Sequence, residues 1–170
     1  MTTRVIVVSD THVPQRAHGL SRGLWADIDA ADVVIHAGDW IDPAVLDAFE
    51  QRAQRLVGVY GNNDGAEIRQ RLPQVAAATI EGLRITVVHE TGPASGREQR
   101  CDRDFAGSDL LIFGHSHIPW DSVSSAGMRL LNPGSPTDRR RQPACTYLRM
   151  VIDVGRIVAT ELVVTDRTLT

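Results

Sequence analysis

Four short apolar runs recur along this chain, and each ends in polar residues that bind cations or turn the backbone. Val5-Ile6-Val7-Val8 leads into Ser9-Asp10-Thr11-His12, and the run at 33–37 leads into Gly38-Asp39. The run at 56–60 leads into Gly61-Asn62-Asn63-Asp64, and that at 110–113 into Gly114-His115-Ser116-His117. A short continuous apolar run bounded by turn residues predicts a strand buried on both faces. In open α/β sheets, ligands collect just beyond the carboxyl ends of such strands. The pattern therefore constrains both the fold and the place where chemistry is done.

The intervening segments complete an α/β reading. Residues 19–31 carry a weak helical pattern around Leu20, Leu24, Trp25 and Ile28. Asp42 suits a helix N-cap and Pro43 the first helical position, with Val45, Leu46 and Phe49 following at helical spacing. A short polar helix is predicted at 66–72 and another at 96–105. Residues 76–80 and 83–88 read as a hairpin turning at Glu81-Gly82, its second strand ending at His89. Val123 and the segments 128–131, 146–154 and 156–164 predict a C-terminal antiparallel layer. The order βαβαβ followed by mostly β predicts two sheets packed face to face with helices outside. One domain over 1–170 is expected from the length.

Composition removes several function classes. All eighteen basic residues are arginine. Without lysine there is no Schiff-base chemistry and no P-loop lysine. Cys101 and Cys145 make no disulfide framework and are expected as reduced thiols of a cytoplasmic protein. No apolar run approaches the ~18 residues of a membrane span, and the start of the chain shows no signal-peptide pattern. The formal charge of -3 gives no basic coat for nucleic acid, which is not an expected partner.

The strand-end set is Asp10, His12, Asp39, Asn62, His89, His115 and His117. All offer oxygen or nitrogen, which suits Mn, Fe, Zn, Ni or Co. Seven donors are too many for one tetrahedral ion and suit two ions sharing a carboxylate. Asp10 and His12, like His115 and His117, stand at i, i+2, which places both side chains on one side of an extended backbone.

The ordered set D-T-H, G-D, G-N-N-D, H, G-H-S-H, N-P-G-S resembles the calcineurin-like metallophosphoesterase superfamily, in particular its small YfcE-type phosphodiesterase branch. The resemblance runs from Val5 to about Val164. It implies a four-layer α/β/β/α sandwich of two mixed sheets. It also implies that Asp10, His12 and His117 hold one metal, that Asn62, His89 and His115 hold the other, and that Asp39 bridges them. Two divalent ions are the implied cofactors, Mn²⁺ first, with Ni²⁺, Fe, Co²⁺ or Zn²⁺ as alternatives. The implied reaction is hydrolysis of a small phosphodiester by a metal-bridging hydroxide, with Asp39, Asn62 and His115 catalytic. Small relatives of this kind often form homo-oligomers. The alternatives are a protein-interaction scaffold on the same fold, as in a eukaryotic retromer subunit, and a nuclease.

The chain departs from the superfamily pattern at two positions. Asn63 stands where the phosphoprotein-phosphatase branch has a histidine, and an amide cannot protonate a leaving group. Glu90 stands where glycine usually follows the ligand histidine; it is either a hydrogen-bond partner of the site or a solvent-facing side chain. Asn63, His18, Arg16 and Arg139 are the candidate substrate contacts, although His18 and the Arg139-Arg140-Arg141 run also read as exposed loop residues. His36 reads as a supporting or core residue, Asn132 as a support for the site, and Asp64 as a brace of its own loop. Trp40 and Trp120 are either pocket walls or core.

Overall fold

The computed structural model describes residues 1–165. Its elements are β1 (Thr2–Val8), α1 (Arg22–Ala30), β2 (Val33–His36), α2 (Pro43–Arg52), β3 (Leu56–Gly58), α3 (Ala66–Arg71), β4 (Val75–Ile80) and β5 (Leu83–Val88). They continue with α4 (Arg97–Asp104), β6 (Leu110–Ile112), β7 (Trp120–Val123), β8 (Arg129–Asn132), β9 (Thr146–Asp153) and β10 (Arg156–Val164). The first sheet has the order β10-β9-β1-β2-β3 and the second β4-β5-β6-β8-β7. In the first, β1, β2 and β3 run parallel; in the second, β5, β6 and β8 do.

Three apolar clusters stack these elements into four layers. Val5, Val7, Ile35, Ile85, Val87, Leu110, Ile112 and Met150 fill the space between the sheets. Ile6, Val8 and Val34 point the other way, onto Leu24 and Ile28 of α1, Leu46 and Phe49 of α2, and Ile68 of α3. Leu111, Leu130 and Val88 pack against Cys101 of α4 on the far side of the second sheet. Successive strand residues thus bury opposite faces, as the continuous apolar runs require.

Local signals set the helix starts. The Ser21 hydroxyl accepts from Leu24 N at 3.2 Å, and Asp42 accepts from Ala44 N at 2.8 Å with Pro43 in the first turn. The hairpin turn has positive φ at both Glu81 and Gly82, as a two-residue type I′ turn demands.

The expected C-terminal antiparallel layer is not formed. β9 and β10 extend the first sheet antiparallel, whereas β8 runs parallel to β6 inside the second, with β7 antiparallel at its edge. Burial explains the division. Leu130 enters the α4 cluster and Leu131 the inter-sheet core, so β8 needs cover on both faces, which an interior parallel strand receives. Among the described residues no helix is long and apolar enough to cross a membrane.

Candidate metal centre

The carboxyl ends of six parallel strands, three from each sheet, meet at one edge of the sandwich. Asp10 and His12 follow β1, Asp39 follows β2, Asn62 follows β3, His89 follows β5, and His115 and His117 follow β6. Asn132 closes β8, and its amide donates to Gly114 O at 2.9 Å and Ser116 Oγ at 3.2 Å.

The two aspartates face the imidazoles. Asp10 Oδ1 lies 3.4 Å from His117 Nε2, 3.7 Å from His12 Nε2 and 3.9 Å from His89 Nε2. Its other oxygen is pinned by Ser9 Oγ at 2.7 Å and His115 N at 2.9 Å. Asp39 Oδ2 lies 3.3 Å from His12 Nε2 and 3.4 Å from His89 Nε2. Asn62 Oδ1 stands 3.0 Å from both His89 Nε2 and His115 Nδ1. Two donor groups therefore converge: Asp10, His12 and His117, and Asp10, Asp39 and His89, with Asn62 and His115 beside the second and Asp39 as near to His12 as to His89.

Supporting hydrogen bonds orient two of the rings. His89 Nδ1 donates to Ala37 O at 2.7 Å and His117 Nδ1 to Asp138 O at 2.6 Å. With the proton on Nδ1, each Nε2 presents a lone pair to the pocket, as metal-ligating imidazoles do. Asp10 Oδ1, His12 Nε2 and His117 Nε2 are buried without a hydrogen-bond partner. Three unpartnered atoms of this kind, facing one point, fit a cation.

The electrostatics agree. Burial disfavours charge on His12, yet the Asp10 and Asp39 carboxylates beside it outweigh that and raise it to about 9. His89 is likewise raised against burial, by Asp39 and Asp10. Burial opposes the ionisation of Asp10 and Asp39 too, but the facing imidazoles hold both well below the usual carboxylate range. The pocket holds negative charge that calls for positive charge beside it.

The backbone reaches this geometry by a different route from the one the i, i+2 spacing suggests. Asp10, His12, Asp39, His115 and His117 all have positive φ, between 45° and 70°. The chain turns left-handed past each strand end, a conformation that Asp and His tolerate better than most residues. Close approach makes the glycines necessary. A Cβ on Gly114 would overlap Ser9 Oγ and lie 2.6 Å from Asp10 Oδ2, and one on Gly61 would overlap the Asp39 carboxylate.

Asp64 braces two ligand loops at once, accepting from Asp39 N at 3.0 Å, Ile41 N at 2.8 Å and Gly61 N at 2.7 Å. His36 is fully buried and stacked on Trp40 at 3.5 Å. Its Nδ1 accepts from Gly38 N, and its Nε2 donates to Thr11 Oγ1. Burial pushes it down to about 3, so it is neutral.

The other singled-out residues divide. Asn63 donates to Asp39 twice, from N at 2.9 Å and Nδ2 at 2.7 Å. Trp40 is core, its indole donating to Val59 O, and Trp120 packs with the α4 cluster under Arg97; neither walls the site. Arg139 folds back to Gln142 O, whereas Arg140 reaches His115 O at 3.3 Å. Arg16 lies 3.6 Å from Asp138, and His18 is exposed in the loop before α1. Glu90 Oε1 stands 3.8 Å from His115 Nε2.

Three further residues contribute to the site without a motif of their own in the sequence. Asp138 and Thr137 follow the Asn132–Ser135 turn, and Thr137 Oγ1 donates to Thr11 O at 2.6 Å. That turn was their available signal. Arg69 donates to the carbonyls of Asp64, Gly61 and Asn62 at 2.7, 3.2 and 3.1 Å. Nothing local marks it, because its role depends on α3 folding back over the loop.

A two-sheet sandwich with carboxylates and imidazoles gathered at its strand ends is a scaffold suited to holding divalent metal ions. Residues 3–155 match the model of the calcineurin-like phosphoesterase superfamily domain, and the chain belongs to that family. A probable metallophosphoesterase of Methanothermobacter thermautotrophicus is 35% identical over 150 residues, covering 85% of this chain and 84% of the relative. A Thermotoga maritima protein solved by NMR superposes with TM-score 0.76 at 29% identity, covering 95% of this chain and 99% of that one. Vacuolar protein sorting 29 from Cryptosporidium parvum shares the fold, with TM-score 0.78 at 18% identity and coverage of 96% and 99%.

Proposed function

We propose that this metallophosphoesterase is a dinuclear, Mn²⁺-dependent phosphodiesterase. The observation that carries the reading is the set of buried, unpartnered Asp10 Oδ1, His12 Nε2 and His117 Nε2. Burying polar atoms without partners costs ~1–3 kcal/mol each, and a cation would recover that cost. Asp10, His12 and His117 would hold one ion and Asn62, His89 and His115 the other, with Asp39 shared. When bound, the ions would supply Lewis acidity at the phosphoryl oxygens and acidify a water.

The chain's own residues prepare that chemistry. Ala37 O and Asp138 O keep the His89 and His117 protons on Nδ1. Asn63 fixes both oxygens of Asp39. An amide at position 63 gives the leaving group no proton, so substrates with good leaving groups are favoured. The substrate preference follows: activated diesters over alkyl monoesters.

The experiment is hydrolysis of bis(p-nitrophenyl) phosphate by metal-stripped protein, before and after adding Mn²⁺, with Asp39→Asn alongside. A Mn²⁺-dependent rate that falls by at least about 100-fold in the variant, as loss of a catalytic group does, supports the reading. Metal binding without turnover on any ester would overturn it in favour of a scaffold, the role a shared fold with Vps29 leaves open.

A further inference from the structure

A groove of about 300 Å³ opens beside the second donor group, between the end of the first sheet and the β4 edge of the second. It is bounded by Asn62 and His89 on the site side and by Tyr60, Val75, Val88 and Phe105 beyond, with Glu90 also in its wall. The volume falls at the lower end of the range for small-molecule pockets. Arg69 lies in the same wall, but its guanidinium is taken up by three backbone carbonyls and lies 4.7 Å over the Tyr60 ring. It shapes the groove and leaves no free fork for a second phosphate.

Resting on the phosphodiesterase reading, we infer that this groove seats the second ester substituent of the substrate, and that Glu90 at its wall selects diesters against monoesters. Two features argue for it. The apolar surfaces of Tyr60, Val75, Val88 and Phe105 offer contact to a carbon-bearing group, which a monoester has no second copy of. The Glu90 carboxylate, 3.8 Å from His115 Nε2, stands where it repels phosphate charge. A diester carries one negative charge and a monoester two near neutral pH, so the repulsion falls twice as heavily on the monoester. For any pair of unit charges about 7 Å apart at an effective dielectric of about 40, between the surface and bulk-water limits, one extra charge changes binding by roughly five- to tenfold. Arg69 and Arg140 attract both esters, and their charges are the same in wild type and variant, so the change in preference reads Glu90.

The test is calorimetric binding of phenyl phosphate and diphenyl phosphate to the Mn²⁺-loaded protein. Wild type is expected to prefer diphenyl phosphate. Glu90→Gln should tighten phenyl phosphate more than diphenyl phosphate and shrink the preference by roughly five- to tenfold at low salt. Val75→Trp, which fills the exposed rim of the groove without adding charge, should weaken diphenyl phosphate and spare phenyl phosphate. An unchanged preference in Glu90→Gln, or equal weakening of both esters in Val75→Trp, overturns the inference. Failure of the loaded protein to bind either ester overturns it as well. Binding with the expected preferences but without hydrolysis of any ester would uphold the groove assignment and overturn the phosphodiesterase reading.

Discussion

Replacing Asp64 by asparagine tests how the two ligand loops are held together. Asp64 Oδ2 accepts from Asp39 N at 3.0 Å and Gly61 N at 2.7 Å, and Oδ1 accepts from Ile41 N at 2.8 Å. All three donors are backbone N–H groups beside the site. Asparagine keeps the shape and one acceptor oxygen. Its best orientation leaves that oxygen on Asp39 N and Gly61 N and turns the amide NH₂ toward the Ile41 N–H, donor against donor. The cost is one charge-assisted bond and one stranded donor, about 2–3 kcal/mol. Relief of the repulsion from Asp39, which together with burial raises Asp64 above the usual carboxylate range, returns part of it. The net expectation is about 2 kcal/mol for Asp64→Asn and about twice that for Asp64→Ala, which strands three donors. For a chain of this length, 2 kcal/mol lowers Tm by roughly 4–8 °C. Urea unfolding of the metal-stripped protein, followed by circular dichroism, measures the difference. The reasoning fails if Asp64→Asn stays within about 0.5 kcal/mol of wild type, the range of an ordinary surface change. It also fails if asparagine costs as much as alanine, because the surviving acceptor would then count for nothing.

Gly114→Ala should cost about 1–3 kcal/mol by overpacking against Ser9 and Asp10, and Gly65→Ala, with open space around its Cβ, should stay within about 0.5 kcal/mol; paired urea titrations check both. His36 gives a pH signature. Its folded value of about 3 lies below the ordinary 6.5, so the unfolded chain binds a proton that the folded chain refuses as pH falls through the window between them. Stability is therefore lost on acidification, by about 2.5 kcal/mol between pH 7 and 4.5. His36→Gln should lack that share of the loss, and parallel slopes of stability against pH in the two proteins would refute the assignment.

The strand ends are legible in the sequence because few residue types can offer a cation an oxygen or nitrogen donor. Apolar runs that end in Asp, Asn or His place seven candidate donors beyond five strands, and the structure brings all seven into one cluster. The braces at Asp64 and Asn132 were legible for a related reason, since Asx side chains in Gly-rich loops find backbone partners nearby. The C-terminal topology differs from the antiparallel layer the sequence suggests. A short apolar strand such as Arg129–Asn132 carries no mark of direction, and only burial on both faces tells that it lies parallel beside β6.

What stayed hidden depends on neighbours remote in the chain. The i, i+2 spacing of Asp10 and His12 suggested an extended backbone, yet both residues are left-handed. The carbonyl of Asp39 and the amide of His115 meet that segment from two different sheets. Those contacts hold a conformation that local sequence alone would not select, and unfavourable φ values persist where surrounding structure over-determines them. Gly114 shows the same dependence: its missing side chain matters because Ser9, about a hundred positions earlier, occupies the space. Arg69 belongs to this class too, because nothing marks it until α3 folds back over the loop. Glu90 stands out in the sequence as a departure from the family pattern, but its place in the groove wall shows only when β4 is laid beside the end of β3. The candidate metal ligands would be constrained by what they must bind. The groove is constrained only by what it must admit, and that is why substrate preference has to be read from the assembled site.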